Sequence, residues 1–330
     1  MINNKDNNLL ILLGPTGVGK TDISIKLAQK TAEIEIVSAD SMQIYRYMDI
    51  GTAKPNKNTL NDIKHHMIDI VDPSDNFDVT QYSKLATNVI LDVFKRGKIP
   101  ILAGGSGLYI SSIINPLFTG PAKDIEYRKN LEEEAKLQGK KYLHEKLSKI
   151  DPISASKIEP NDLRRIIRAL EVYKSTGKTI SYLQKKASTK NAPFKYYIIG
   201  FKRDKENIYK RINLRVDKMI KEGFIEEVKM LREMGYKEDL ISMQGLGYKQ
   251  IHKHINGVCT KEEAIDLIKI ETRHYAKRQI TWFGNKIKNV EWIDLDEYDN
   301  NEVVLKITNK INNKCRGSIP FISSPLREKD

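Results

Sequence analysis

A glycine-rich run, Gly14-Pro15-Thr16-Gly17-Val18-Gly19-Lys20-Thr21, directly follows an apolar stretch, Leu9 to Leu13, and precedes helical patterning. All eight positions match the phosphate-binding pattern G-x-x-x-x-G-K-[ST] in its required strand-loop-helix context. Glycines at 14, 17 and 19 admit backbone conformations and close approaches that side chains forbid, so successive N–H groups can converge on phosphate oxygens. A helix starting near Lys20 adds the positive end of its dipole. Lys20 supplies a point charge, and the Thr21 hydroxyl stands where it can ligate Mg²⁺.

The loop alone does not say which phosphate it holds. Nucleotide hydrolases usually carry a second apolar strand ending in a carboxylate that helps hold Mg²⁺. Here the corresponding run, Ile99 to Ala103, leads into Gly104-Gly105-Ser106-Gly107. An acid does end another apolar run, in Val37-Ser38-Ala39-Asp40-Ser41. In open parallel sheets the carboxyl ends of the strands line the ligand crevice. If both runs belong to one sheet, Asp40 faces the phosphate site, where it can serve as metal ligand, general base or helix cap.

Strand, helix and strand must therefore alternate so that these residues meet. Apolar runs at Leu9–Leu13, Ile34–Val37, Met67–Val71 and Ile99–Ala103 are expected strands, and Lys84–Phe94 has helical spacing through Leu85, Val89 and Val93. From Lys123 to about Lys190 the pattern changes. Leu131, Leu137, Leu143 and Leu147 sit among charges, Pro152 and Pro160 punctuate, and no strand-like run occurs. A helical insertion is expected there. A strand at Tyr196–Phe201, amphipathic segments at Lys205–Met234 and Lys261–Phe283, and an apolar run at Val290–Leu295 resume the mixed pattern. The expected class is α/β: a phosphate-loop NTPase-like parallel sheet flanked by helices, with a smaller all-helical insertion domain. Residues 1–122 and 191–315 form the discontinuous core, 123–190 the insertion, and 316–330 a polar tail expected to fray.

In 330 residues, 56 basic side chains outnumber 43 acidic ones by 13. A surplus of this size favours polyanions. No apolar run reaches the ~18 residues of a membrane span, and the polar start Met1–Asp6 lacks a secretory pattern. Two distant cysteines, Cys259 and Cys315, make neither a disulfide framework nor a cysteine zinc site. A cytoplasmic protein without membrane contact, working as a monomer, is expected. Arg273 and Lys277 share one helical face, with Arg278 beside them. Arg164 and Arg168 share another, flanked by Arg165. His65 and His66 are expected in a loop, and Trp282 and Phe283 are expected to pack in the core.

The phosphate loop stands with Asp40-Ser41-Met42-Gln43-Ile44-Tyr45, Met48-Asp49-Ile50-Gly51-Thr52-Ala53-Lys54-Pro55, Gly104-Gly105-Ser106-Gly107-Leu108-Tyr109 and Ala276-Lys277-Arg278-Gln279-Ile280-Thr281-Trp282-Phe283. In this combination the chain resembles the tRNA dimethylallyltransferases, from about Leu9 to Leu295. The resemblance implies transfer of a dimethylallyl group from dimethylallyl diphosphate to the exocyclic N6 amine of the adenine 3′ to the anticodon in tRNA, with Mg²⁺ as cofactor. It implies that Asp40 accepts the amine proton, supported by Ser106, while the phosphate loop, Lys20, Mg²⁺ on Thr21, Arg211 and Arg215 hold the diphosphate. It also implies tRNA contacts from Asp40, Ser41, Met42, Gln43 and Ser106. The segment Arg164-Arg165-Ile166-Ile167-Arg168 and the trio Arg273, Lys277 and Arg278 are the further expected tRNA contacts. Two departures stand out: Ser106 replaces the family's usual Thr, and the zinc-finger extension of eukaryotic relatives is not expected. A free-adenylate prenyltransferase and a phosphate-loop kinase or ATPase are the competing readings.

Overall fold

The computed structural model describes residues 8–115, 118, 120–187 and 192–314. Its first strands and helices are β1 (Asn8–Leu13), α1 (Lys20–Lys30), β2 (Ile34–Ser38), α2 (Lys57–Asp62), β3 (His65–His66), α3 (Val79–Lys95), β4 (Ile99–Gly104) and α4 (Gly107–Ile114). Five helices follow: α5 (Ile125–Gln138), α6 (Lys140–Ile150), α7 (Pro152–Ala155), α8 (Leu163–Thr176) and α9 (Ile180–Ala187). The chain then runs through β5 (Lys195–Lys202), α10 (Lys205–Lys221), α11 (Phe224–Glu233), α12 (Tyr248–Ile255), α13 (Lys261–Lys286), β6 (Val290–Asp294) and α14 (Asn300–Lys314).

The six strands form one sheet in the order β3-β2-β4-β1-β5-β6, every pair parallel. Strands covered on both faces read as continuous apolar runs, which is why Leu9 to Leu13 are all fully buried. Leu10 and Leu12 pack with Ile23 and Leu27 of α1 and with Val303, Val304 and Ile307 of α14. Because all strands point the same way, β1, β2 and β4 deliver the phosphate loop, Asp40 and Ser106 to one end of the sheet. Helix ends are capped as their sequences dictate: Asp78 with Gln81 boxes the start of α3, and Thr260 with Glu263 that of α13.

Contacts divide the chain into two compact units, Met1–Ile114 with Pro193–Asp330, and Asn115–Ala192. The second unit is helical throughout its described elements, around a core of Leu131, Leu143, Leu147, Ile166, Ile167 and Leu170. Residues 316–330, the expected tail, lie outside the described residues. No helix among the described residues is long and apolar enough to cross a membrane.

Three expectations are corrected here. Met67–Val71 is not a strand, because Met67 and Asp69 take positive φ values (63° and 55°) that break an extended run. The strand is instead the adjacent pair His65–His66, expected in a loop, and His66 Nε2 lies 2.7 Å from the Glu35 carboxylate. The amphipathic segment Lys205–Met234 folds as expected of such a pattern, as two helices separated where Gly223 turns with φ +98°. Ile166 and Ile167 cannot contact tRNA, since they are 0% and 4% exposed in the core of the helical unit.

Candidate active site

Helix α1 begins only because Gly19 can hold φ +114° as its N-cap, turning the chain from loop into helix. Lys20 lies back on its own loop, Nζ donating to the carbonyls of Gly14 and Pro15, both at 2.8 Å. Pro15 has no N–H to offer, and the Thr16 amide donates to Gln279 Oε1 at 2.8 Å. The loop amides of Gly17 and Gly19 make no backbone bond among the described residues. Gln279 also donates to Gly105 O (2.8 Å), tying the phosphate loop to the loop after β4. Arg203, just after β5, donates to Val18 O (2.9 Å) and pairs with Asp296 (2.6 Å), clamping the same loop from the other side.

Asp40 follows β2. Its Oδ1 accepts from the amides of Met42 (2.8 Å) and Gln43 (3.3 Å), which fixes the turn after the strand and aims the carboxyl group. Ser106 does not touch Asp40. Its Oγ accepts from the Ser41 amide (3.0 Å) and donates to Ser41 Oγ (3.2 Å), so it steadies the residue after the carboxylate rather than the carboxylate itself. Their loops lie close: Ser106 N donates to Ala39 O, and a Cβ at Gly104 would collide with Ala39. Gln43 spends its side chain inside the protein, accepting from Ser38 and donating to Thr52 O and Ala53 O.

Arg211 and Arg215 project from α10 one turn apart. Arg211 is exposed, donates to Gly17 O (2.7 Å) and lies 3.7 Å from Asp22. Arg215 faces inward, and among the described residues its hydrogen bonds are long ones, to Thr16 Oγ1 (3.4 Å) and Thr52 O (3.5 Å). Burial lowers the basicity of Arg215. Burial and the nearby charge of Arg215 together pull Lys20 down to about 7, against the opposing charge of Asp40. Neither cation has a carboxylate within 4 Å among the described residues, although the charge of Asp40 acts favourably on both.

A cavity of about 260 Å³ opens beside this cluster. Polar side chains (Thr16, Asp40, Ser41, Thr52, Arg215, Tyr275) and apolar ones (Ile212, Val216, Met219, Phe224, Leu246, Ile268) both line it. Burial and the charge of Asp40 push the Tyr275 phenol up to about 12, keeping it protonated beside Ser106 and Gln279. Thr21 is exposed at the start of α1. No group of three or more His, Cys, Asp or Glu suited to a metal exists among the described residues. That donor set fits Mg²⁺ carried mainly by substrate phosphates and touched by one protein hydroxyl.

The remaining expected contacts separate. Lys277 and Arg278 are exposed on α13, while Arg273 is half-buried, lying over the Tyr209 ring and 3.4 Å from Asn213. In the helical unit Arg164 and Arg165 are exposed, whereas Arg168 is half-buried and its charge is paired within the unit. It pairs with Glu171 at 2.5 Å and donates to Pro121 O. Phe283 is fully buried, and Trp282 covers Gly107, where any Cβ would collide with the indole.

Tyr275, Gln279, Arg203 and Glu227 were not singled out in the sequence. Gln279 sits inside a recognised motif, and Tyr275 lies four residues earlier on the same helical face. That spacing was the available signal for both.

A parallel sheet with a phosphate loop at the end of β1 and an acid at the end of β2 defines a phosphate-loop α/β protein. The family model for IPP transferase matches residues 43–286. A tRNA dimethylallyltransferase of Acetivibrio thermocellus is 50% identical over 91% of this chain and 96% of its own length. One from Alkaliphilus oremlandii is 49% identical over 89% and 93%. Among solved structures, the full-length tRNA isopentenylpyrophosphate transferase of Bacillus halodurans is 42% identical, with a TM-score of 0.69, covering 94% of this chain and 97% of that one. A eukaryotic dimethylallyltransferase acting on tRNA is 28% identical, with a TM-score of 0.78, over 93% and 80%. The chain belongs to the IPP transferase family, and it is a transferase.

Proposed function

We propose that this enzyme transfers the dimethylallyl group of dimethylallyl diphosphate to the N6 amine of the adenine 3′-adjacent to the anticodon in tRNA, giving N6-isopentenyladenosine and free diphosphate. The observation that carries this reading is one cavity lined both by Asp40 and Arg215, whose charges act on Lys20 of the phosphate loop, and by the apolar side chains of Ile212, Val216, Met219, Phe224, Leu246 and Ile268. A nucleotide hydrolase has no use for the apolar part.

In the transfer, the bond between the allylic carbon and the diphosphate oxygen breaks, and its electron pair leaves with diphosphate. The N6 nitrogen bonds to that carbon and gives up one proton, which Asp40 Oδ2 accepts. Loop amides, Lys20 and Arg215 stabilise the charge on the departing oxygen, and such preorganised electrostatics commonly form the largest catalytic contribution. To do so, Lys20 exchanges its two internal carbonyl bonds for phosphate oxygens. Thr21 would hold Mg²⁺, which supplies further neutralisation of the diphosphate when bound. Tyr275, a protonated phenol at the same wall, donates a hydrogen bond toward the base.

An adenine reaches such a cavity only after leaving its stack, at a cost of a few kcal/mol recovered inside the pocket. Lys277 and Arg278 on α13, with Arg273 near them, and Arg164 and Arg165 on the helical unit supply phosphate contacts. The helical unit is read as the tRNA-gripping part, the enzyme as a cytoplasmic monomer. The test is incorporation of labelled dimethylallyl diphosphate into tRNA. Asp40→Asn should keep both substrates bound and slow single-turnover transfer ~10²- to 10⁴-fold. A near-normal rate in that variant removes Asp40 as the base. Labelling of free adenylate in preference to tRNA would replace the acceptor assignment.

A further inference from the structure

One aromatic side chain, from the start of α11, is among the residues that line the cavity. Phe224, the first residue of that helix, is 1% exposed and stands edge-on to Tyr248, with ring centroids 5.0 Å apart at 81°. Two glycines make room for the ring. A Cβ at Gly51 would fall inside it, and one at Gly247 would lie 2.9 Å from it. One turn along α11, Glu227 is also buried. Its Oε2 accepts from the amides of Asp49 (2.9 Å) and Ile50 (2.6 Å), and its Oε1 from the Gly51 amide (3.1 Å) and the Tyr248 hydroxyl (2.7 Å). One carboxylate thus fixes both surfaces that trap the ring.

We propose that Phe224 sets the length of the alkyl chain that the pocket accepts, and that Glu227 is a positioning residue that keeps this stop rigid. The proposal rests on the reading of the substrate as an allyl diphosphate. An apolar pocket does not by itself reject a longer chain, because each added methylene bound is favourable, by as much as ~10- to 200-fold. Discrimination against a ten-carbon chain therefore requires a wall that cannot yield. Met219, with its flexible unbranched side chain, is no such wall. Phe224, packed between two glycines and an edge-on tyrosine, is one. The cavity, at about 260 Å³, also falls just below the ~300–1,000 Å³ usual for larger ligands.

The experiment compares kcat/KM for dimethylallyl and geranyl diphosphate with tRNA as acceptor, in wild type, Phe224→Leu and Glu227→Gln. Leucine keeps the core filled where Phe224→Ala could unfold it, and glutamine keeps one acceptor oxygen. Phe224→Leu should raise the geranyl-to-dimethylallyl ratio at least tenfold while leaving inhibition by inorganic diphosphate unchanged. Glu227→Gln should raise the same ratio about threefold, with a higher KM for dimethylallyl diphosphate and little change in kcat, a pattern that plain loss of folded enzyme does not give. Wild-type transfer with an unchanged ratio in Phe224→Leu overturns the assignment. So does an unchanged ratio accompanied by a raised KM for tRNA, which would give this end of the cavity to the adenine. Failure of the wild-type enzyme to use dimethylallyl diphosphate at all overturns the underlying reading and this inference with it.

Discussion

In the helical unit, Arg128 and Arg168 converge on one fully buried carboxylate, Glu171, at 2.6 and 2.5 Å, and the Asp124 amide completes its shell. Burial pushes Glu171 up, but the hydrogen bonds from Arg128 and Arg168 outweigh it and hold the group at about 2. Near the cavity of the sheet unit, Lys20 and Arg215 lie close enough for one charge to act on the other, neither has an ion-pair partner among the described residues, and both lose basicity to burial. Similar side chains serve opposite ends. Matched charge cements a fold, whereas unmatched charge costs stability and stays available for a polyanionic ligand.

The sharpest way to break this contrast is Lys20→Met. If the lysine is held for a ligand, turnover should fall 10²-fold or more while the ligand-free enzyme gains ~1–3 kcal/mol in denaturant unfolding. A variant that loses both activity and stability would show that Lys20 is part of the structural frame. The mirror experiment removes Glu171. Glu171→Gln should destabilise the enzyme by about 2–3 kcal/mol, because two guanidinium groups lose their shared acceptor. Since its folded pKa lies below the ordinary 4.5, Glu171 contributes fully above that pH, and its contribution is lost as pH falls toward about 2. Acid unfolding followed by circular dichroism should therefore be less steep over that window in the variant. An unchanged acid profile would show that the triad adds nothing to stability.

The smallest effect concerns the arginines of the helical unit that are not paired with Glu171. Replacing Arg164 and Arg165 by Ser should weaken tRNA binding and flatten its salt dependence by up to ~0.7–0.9 log units per lost phosphate contact. Replacing Arg168 should instead lower stability, as expected for a residue whose charge is already neutralised within its own unit. Equal salt slopes in wild type and the double variant would mark Arg164 and Arg165 as solvated surface. Filter binding across a salt series checks this.

The two units also differ in how well their roles could be read from sequence. The phosphate loop was legible because its chemistry lies in eight consecutive residues whose backbone does the binding. The pairing of Arg168 is not legible in the same way, because its partner, Glu171, lies three residues on and inside the unit, and a basic helix face looks alike whether it meets water or a buried acid. Ile166 and Ile167 are buried although Arg164 and Arg165 beside them are exposed, since neighbouring helical residues point to different sides. Met67–Val71 has strand composition, but positive φ values at two of its residues turn it into a loop that makes only a single bridge, from Val71 to Tyr45.

By itself the sequence determined the parallel alternation of strands and helices, the phosphate loop, and Asp40 at the end of a strand. Each of these depends on local patterning, on hydrophobic periodicity and on residues adjacent in the chain. Only the tertiary structure decided that Gln279 couples two loops 174 and 263 residues away in sequence, that Ser106 steadies Ser41 rather than Asp40, and that Glu227 locks the loop at 49–51. Those are hydrogen bonds between groups distant in sequence. A lone Gln or Glu carries no sign of its partner until packing removes water and leaves a specific amide or carbonyl as the one group able to satisfy it.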